Sequence, residues 1–449
     1  MRKLLTILAA VMLVGLVVPA FSAVENVKVG GDIVVKGIYR NNFDLQKKIA
    51  ATGAAGDGNS YIYTGARVYV SAELSDNVSA MLRFVDERDW SGLVGMDIVS
   101  RTLSTDLAYV KVSDLVVPGL NLTVGRQEIQ IGDGLVVGSQ YRASMLNRVV
   151  STTYYYDYGL QKAFDAIKLD YAFTAAPVTV TAFKAKITEA YDNAIYVTPL
   201  GTIGNANDGD LYGLDVVISA ENVKINPYYV YETISTNGTQ EPNVLSTAGI
   251  RATWAPMEAL SLSGEYAKQF GSDKTAPGKP DYEGWALVLG ASYKFETNMS
   301  PVVSAMYADF SGQKATATDI KQWVPVFPSN IASRVGKIAY PAIFSGGEGA
   351  FDLGSGSGVR VIKLGLGLQP AEKVGLTLDW YNLTAKETGA GIDDSVGNEI
   401  DLGITYKYSE DLSFGLDLGY FMAGDYVEDT FTNQDKNAWQ AIVTMSVAF

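Results

Sequence analysis

The chain contains no cysteine and no histidine. The first absence excludes disulfides, thiolate metal ligands and c-type haem attachment. The second removes the side chain most used as general base and metal ligand near neutral pH, so no Ser–His pairing is available for catalysis. Beyond residue 23 there is no continuous apolar run of the ~20 residues that a membrane-spanning helix needs. Basic residues are in the minority, 35 against 49 acidic ones, for a net charge of −14. An acidic chain of this kind is a poor partner for nucleic acid or anionic lipid.

What is present begins with an export signal. Arg2 and Lys3 precede an apolar run from Leu4 to Val18, and Ala20-Phe21-Ser22 fits small-x-small cleavage. These residues predict a signal peptide over 1–22, with a cut after Ala23 as the neighbouring option. No cysteine follows, so a lipoprotein is excluded. An uncleaved anchor is the alternative, but the run is too short to span a bilayer. Removing Arg2 and Lys3 takes the net charge from −14 to −16. An exported chain without apolar helices is periplasmic, secreted, or an outer-membrane barrel.

Period-two alternation runs to the last residue. Trp439, Ala441, Val443, Met445, Val447 and Phe449 share a face opposite Gln440, Thr444 and Ser446. Ile400, Leu402, Ile404 and Tyr406 oppose Glu399, Asp401, Gly403 and Thr405, and similar runs start near Ile62, Trp285 and Leu412. Each is about the ~9–11 residues of a tilted transmembrane strand. Connections alternate between short turns, such as Ser75-Asp76-Asn77 and Ser409-Glu410-Asp411, and long loops, such as 138–160, 188–210 and 311–358. Short periplasmic turns and long external loops are the outer-membrane pattern. The predicted fold is all-β: one transmembrane antiparallel β-barrel over 23–449, of about 18 strands with both termini on the short-turn side. A secreted β-sandwich or β-helix is the alternative, but its loops would not sort by side. Aromatic residues near predicted strand ends, including Tyr39, Trp254, Trp285, Tyr293, Tyr406 and Tyr408, suit interfacial girdles.

A barrel of this size is too wide for side chains to fill. The predicted inward faces carry charge in strand after strand, which implies water on that side. Arg67, Arg83, Arg101, Arg126, Glu128, Lys168, Asp170, Arg251, Asp379, Glu399 and Asp401 are the candidate pore-lining residues. Seven of the 11 arginines after residue 23 fall between 67 and 148, so one wall should be Arg-rich, with Asp379, Glu399, Asp401 and Asp417 on a more acidic wall. Opposed walls would set a transverse field on a solute. Pairing across strands is the competing reading. Apolar parity switches after Gly125, which predicts a β-bulge turning Arg126, Glu128 and Gln130 inward. Gly132-Asp133-Gly134 then begins an external loop. Within 311–358, Trp323-Val324-Pro325-Val326-Phe327-Pro328 favours a fold-back over or into the mouth, against a mobile external loop. Asn205 to Asp210 has the look of a calcium loop but lacks spaced ligands and a closing Glu, so a polar loop is the better reading. No metal or cofactor is expected, and no enzymatic activity.

The run Val124-Gly125-Arg126-Gln127-Glu128-Ile129, with Gly132-Asp133-Gly134, Val136-Val137-Gly138, Phe164 to Leu169, Phe327-Pro328 and Gly397 to Leu402, resembles the alginate-export family of outer-membrane porins. The resemblance implies an 18-stranded barrel and, for the alginate exporter, an Arg-lined anion path. This chain departs from that in being acidic and poor in Arg outside 67–148, which points to a general porin of the family. Phe449 looks like the signal read by the outer-membrane assembly machinery. The expected partners are outer-membrane lipid, that machinery and small solutes or ions, with no nucleic acid; a homo-oligomer stays open. The expected function is a passive channel for small hydrophilic or charged solutes. The alternatives are an exporter of an acidic, alginate-like polysaccharide, a plugged structural or adhesive barrel, and a surface hydrolase, which would need a carboxylate or calcium site.

Overall fold

The computed structural model describes residues 26–42, 45, 58–90, 103–138, 163–188, 196–198, 201–203, 208–235, 241–274, 276–314, 316–329, 331–339, 356–430 and 437–449. The predicted signal peptide and Arg101 lie outside the described residues. The strands in chain order are β1 (Val27–Asn41), β2 (Gly58–Ser75), β3 (Val78–Asp89), β4 (Ser104–Val112), β5 (Leu120–Gln127), β6 (Phe164–Ala172), β7 (Val178–Thr188), β8 (Tyr196–Thr198), β9 (Gly201–Ile203) and β10 (Asp208–Ser219). They continue as β11 (Val223–Ser235), β12 (Asn243–Met257), β13 (Leu260–Ser272), β14 (Trp285–Lys294), β15 (Val302–Phe310), β16 (Val359–Ala371), β17 (Val374–Ala385), β18 (Ser395–Lys407), β19 (Leu412–Ala423) and β20 (Asn437–Ala448). Among the described residues, two short helices, α1 (Ile331–Val335) and α2 (Asp425–Thr430), sit in the connections.

Eighteen strands form one antiparallel sheet, and β1 pairs with β20 to close it. The separate β8–β9 hairpin lies between β7 and β10, within a predicted loop. Closure follows from the solvent. In hydrocarbon each unpaired backbone group costs several kcal/mol, so an edge cannot face lipid. The alternation then sorts side chains by parity. Val29, Ile167, Ile250, Leu364 and Val443 stand exposed on the outer face, where the surrounding medium is lipid. Two aromatic levels band this face. Tyr39–Trp439 and Tyr266–Trp285 lie toward the long-loop end; Tyr293–Phe295 and Tyr406–Tyr408 lie toward the turns.

The seam depends on the last residue. Gly31 and Phe449 exchange both main-chain hydrogen bonds, at 2.9 and 3.0 Å. A Cβ on Gly31 would stand 2.4 Å from the Arg67 carbonyl and 2.7 Å from the Phe449 ring, so this position has room only for glycine. Deleting Phe449 removes two bonds worth about 1 kcal/mol each and the lipid-facing ring. The truncated protein is expected to show a smaller fraction of heat-shifting, folded species on unboiled gels. An unchanged folded fraction would count against this role for the seam.

Candidate functional site

Register places inward charges opposite one another. Asp32 on β1 faces Arg67 on β2, and the Arg67 Nε reaches the carboxylate at 2.9 Å. Arg251 on β12 faces Glu265 on β13 at 3.6 Å. Lys168 pairs with Asp170 at 3.2 Å, and Lys363 with Asp379 at 3.1 Å. Arg83 is shared. A register shift after Arg83 frees Asp106 from the ladder, and Asp106 accepts from its Nε at 2.6 Å. Glu128 accepts from its Nη2 at 2.7 Å. Arg67, Arg83 and Arg251 are therefore matched to carboxylates, and Arg40 on β1 donates to Gln440 and Tyr61, which favours cross-strand pairing over an unbalanced basic wall.

Arg126 requires a correction. Gly125 has a positive φ of 120°, but no register shift follows it. Arg126 stays opposite Ala108 and Asp165, and donates to Asp165 at 2.9 Å. Asp165 is 63% exposed on the outer face, so Arg126 faces outward rather than into the lumen. Odd parity continues inward through Gln127, Ile129 and Ile131, all buried. Glu128 meets Arg83 because β5 has ended and the chain has turned inward. Gly132-Asp133-Gly134 is not the start of an external loop either. Gly132 comes to rest beside Asn226, Arg251 and Glu265, on the inner faces of β11, β12 and β13.

The barrel holds a small apolar core of its own. Segment 129–138 and segment 323–339 interlock, with main-chain bonds from Phe327 to Val136, Ser329 to Gly134 and Gly138 to Phe327 at 2.7–2.8 Å. Ile129, Ile131, Leu135, Val136 and Val137 pack with Trp323, Val326, Phe327, Val335 and Ile338. Phe327 meets Phe164 of β6 edge to face at 5.3 Å. Gln269 of β13 holds Val324 by both its amide and its carbonyl, at 2.6 and 2.9 Å.

Arg334, at the end of α1, joins the two segments. Its side chain is 4% exposed and donates to the Asp133 carbonyl at 2.7 Å, to the Asp133 carboxylate at 3.3 Å and to the Ser329 carbonyl. Beyond it the chain meets the acidic wall. The amides of Ile338 and Ala339 donate to Glu399 at 2.8 and 2.7 Å, and the Lys337 ammonium pairs with Asp417. Gly336, at φ 103°, lets the backbone pass against the Glu399 carboxylate. Burial alone would lower the Lys337 ammonium, but Asp417, Asp401 and Asp379 outweigh it and hold the group above its ordinary value. This anchoring is full below the unfolded value and is lost only as pH rises through the raised folded one. The lumen is thus crossed by a chord: β11–β13, then Asp133, Arg334 and Lys337, then β18–β19. Asp379, Glu399 and Asp401 were legible as inward carboxylates. Arg334, Lys337 and Gln269 were not singled out from the sequence, where the one signal was the apolar content of a nominal loop.

A closed 18-strand antiparallel wall, apolar outside and charged inside, with two connections folded into its bore, defines a large outer-membrane β-barrel. The chain belongs to the alginate export family, whose profile matches residues 29–441. Its fold is similar to OccK9 (OpdG) of Pseudomonas aeruginosa, with a TM-score of 0.57 at 12% identity, covering 95% of this chain and 99% of that one. OccAB1 of Acinetobacter baumannii gives 0.57 at 12% identity, covering 96% and 99%. The outer membrane protein OprD of Pseudomonas aeruginosa gives 0.55 at 10% identity, covering 95% and 96%. At these identities the likeness is one of fold. No curated protein sequence matches the chain.

Replacing Arg334 by Met leaves the Ser329 and Asp133 carbonyls without their donor and unties the two segments. The expected loss is about 3 kcal/mol, at the low end for a buried pair because Asp133 is half exposed. A lower unfolding temperature with the barrel still heat-shifting on gels is the expected reading. Arg334→Lys should fall between, since it keeps the charge without the planar fork. A wild-type unfolding temperature for the Met variant would mean that the segments are held apart from Arg334.

Proposed function

We propose that the protein is a passive outer-membrane channel for small hydrophilic or charged solutes, narrowed by its own inward-folded connections, and that it performs no catalysis. One observation carries the reading: a charged interior inside a closed apolar wall, crossed by a built constriction rather than filled by side chains. Water is the medium that ionised groups at this density require. Arg67, Arg83, Lys168, Asp170, Arg251, Asp379, Glu399 and Asp401 are the groups assigned to the lumen, and Glu128 lies beside Arg83. Small solutes would meet alternating paired charges rather than a run of one sign.

The second reading, an exporter of an acidic polysaccharide, would need a continuous basic track. Arg67, Arg83 and Arg251 are balanced by carboxylates at 2.6–3.6 Å, which favours the general channel. The family's name alone does not carry alginate to this chain.

Conductance across a planar bilayer tests the proposal directly. Shortening the connection between Ser311 and Gly358 removes the Arg334–Lys337 chord and should raise the single-channel conductance; a folded variant with unchanged conductance would place the constriction elsewhere. Ion preference gives a second test. Replacing Arg67 and Arg83 by Gln leaves Asp32, Asp106 and Glu128 uncompensated. The reversal potential under a salt gradient should move toward cation preference, most at low salt, where screening is weakest. An unmoved potential in a folded double variant would put these pairs off the conduction path.

A further inference from the structure

The turn-side rim is not uniform. Its eight short connections all lie among the described residues, and six of them carry a carboxylate: Asp76, Glu221, Glu258, Glu296, Glu372, and Glu410 with Asp411. The other two are neighbours. Ser113 to Gly119 joins β4 to β5 and reads Ser-Asp-Leu-Val-Val-Pro-Gly; Phe173 to Pro177 joins β6 to β7 and reads Phe-Thr-Ala-Ala-Pro. Asp114 is their one ionisable group, and it is turned back to accept from the Gly119 amide at 2.6 Å. The apolar residues are presented rather than tucked away. Val116, at the tip, is 79% exposed, and Leu115, Val117 and Phe173 are exposed beside it. A contiguous apolar surface of this kind marks a contact with something other than water.

The main chain joins these two turns into one surface that continues the lipid-facing wall. The Leu115 amide donates to the Leu120 carbonyl at 2.8 Å, so the hairpin runs on past the end of β4. Leu120 lies opposite Tyr171, which shares the outward parity of the exposed Ile167 and Leu169. Cross-strand partners share a face, so Leu115 is outward too. The turn then leans on β6. The Ala172 amide donates to the Gly119 carbonyl at 3.0 Å, and a Cβ on Gly119, which has φ 87°, would stand 2.3 Å from the Ala172 carbonyl. Phe173 follows on the outward parity and meets Tyr171 edge to face at 4.5 Å. The Ser219 amide donates to the Pro177 carbonyl at 2.9 Å and ties the second turn to β10. The tip of the first turn, two residues beyond the Leu120–Tyr171 level, reaches roughly 5 Å further along the barrel axis. That is no more than the depth of the interfacial layer, roughly 5–7 Å on each side of the hydrocarbon.

From this continuity we infer that the turns 113–119 and 173–177 are seated in the periplasmic leaflet, at the boundary between headgroups and acyl chains, while the six acidic turns stand in water. Leu115 and Phe173 belong both to the wall and to the turns, so the lipid that covers the wall is the occupant that reaches the tip. Ionised carboxylates are costly at that depth, and the seated turns offer none that is free of a backbone partner. The rim is thereby held by lipid along β4–β7 and released over the rest. This seat concerns the outer surface alone and is independent of conduction.

A chain without cysteine gives a clean test. Val116→Cys and Ala175→Cys place single thiols in the two apolar turns, and Glu258→Cys and Glu410→Cys place them in acidic ones. All four positions are exposed, and the heat shift on gels selects the folded variants. The protein is reconstituted in lipid nanodiscs, where both membrane faces are open. An anionic, water-soluble maleimide is then added, and each rate is taken relative to that of the same variant unfolded. Reaction should be several-fold slower at 116 and 175 than at 258 and 410, because a charged reagent must leave water to reach the first pair. Repulsion by the acidic turns works against this difference, so it cannot produce it. Bimane attached at 116 or 175 should also be quenched by lipids brominated on their acyl chains. Equal relative rates in the two kinds of turn, or no quenching at 116 and 175, would overturn the seat. Shielding in native outer membranes that is lost in nanodiscs of the purified protein would assign the surface to a protein partner and overturn it too.

Discussion

In the hydrocarbon of a bilayer a backbone amide has no water to turn to, and the whole structure depends on that constraint. It forces the sheet to close, so β1 must find β20, and Gly31 and Phe449 complete the seam. Closure in turn fixes which parity faces lipid. An apolar outside leaves a largely charged inner wall, with one small apolar core where inward-folded segments pack against it. Whatever order the bore possesses must then come from charge pairing along the wall and from chain segments led in from the ends.

The two halves of the wall do different work. On β2 and β3, Arg67 and Arg83 are held against the wall by Asp32, Asp106 and Glu128. On β17–β19 the carboxylates face inward and receive the Lys337 ammonium and the amides of Ile338 and Ala339. Partners near 3 Å dominate over charges on the far side of a bore, because salt water screens beyond ~8 Å. Local pairs therefore decide the interior field. The acidic wall serves as an anchor for the constriction more than as one pole of a transverse field. Arg334 couples that anchor to the segment after β5, so neither connection is positioned by its own sequence alone.

Parity also governs the outside. Where lipid tails lie, the outward positions carry no charge. Among the described strand residues the outward charges stand toward the long-loop end. Net charge, which is strongly negative, does not show this, since it averages over faces that meet different media.

Period two set the strands, their number, the short-turn side and the girdles, because each depends only on neighbours in one strand and on the medium outside. Asp379, Glu399 and Asp401 were readable as inward for the same reason. The reading failed where apolar residues did not mean lipid. Ile129 and Ile131 broke the alternation after Gly125, and a bulge was the natural inference. They are apolar because they are buried against Phe327 and its neighbours inside the bore, while Arg126 keeps its outward place opposite Asp165. Asp133 and Arg334, 201 residues apart, had no signal linking them. A strand's faces are decided by local alternation under a fixed solvent; a loop's path is decided by which distant walls curvature and register bring within hydrogen-bond reach, and only the closed barrel sets that distance.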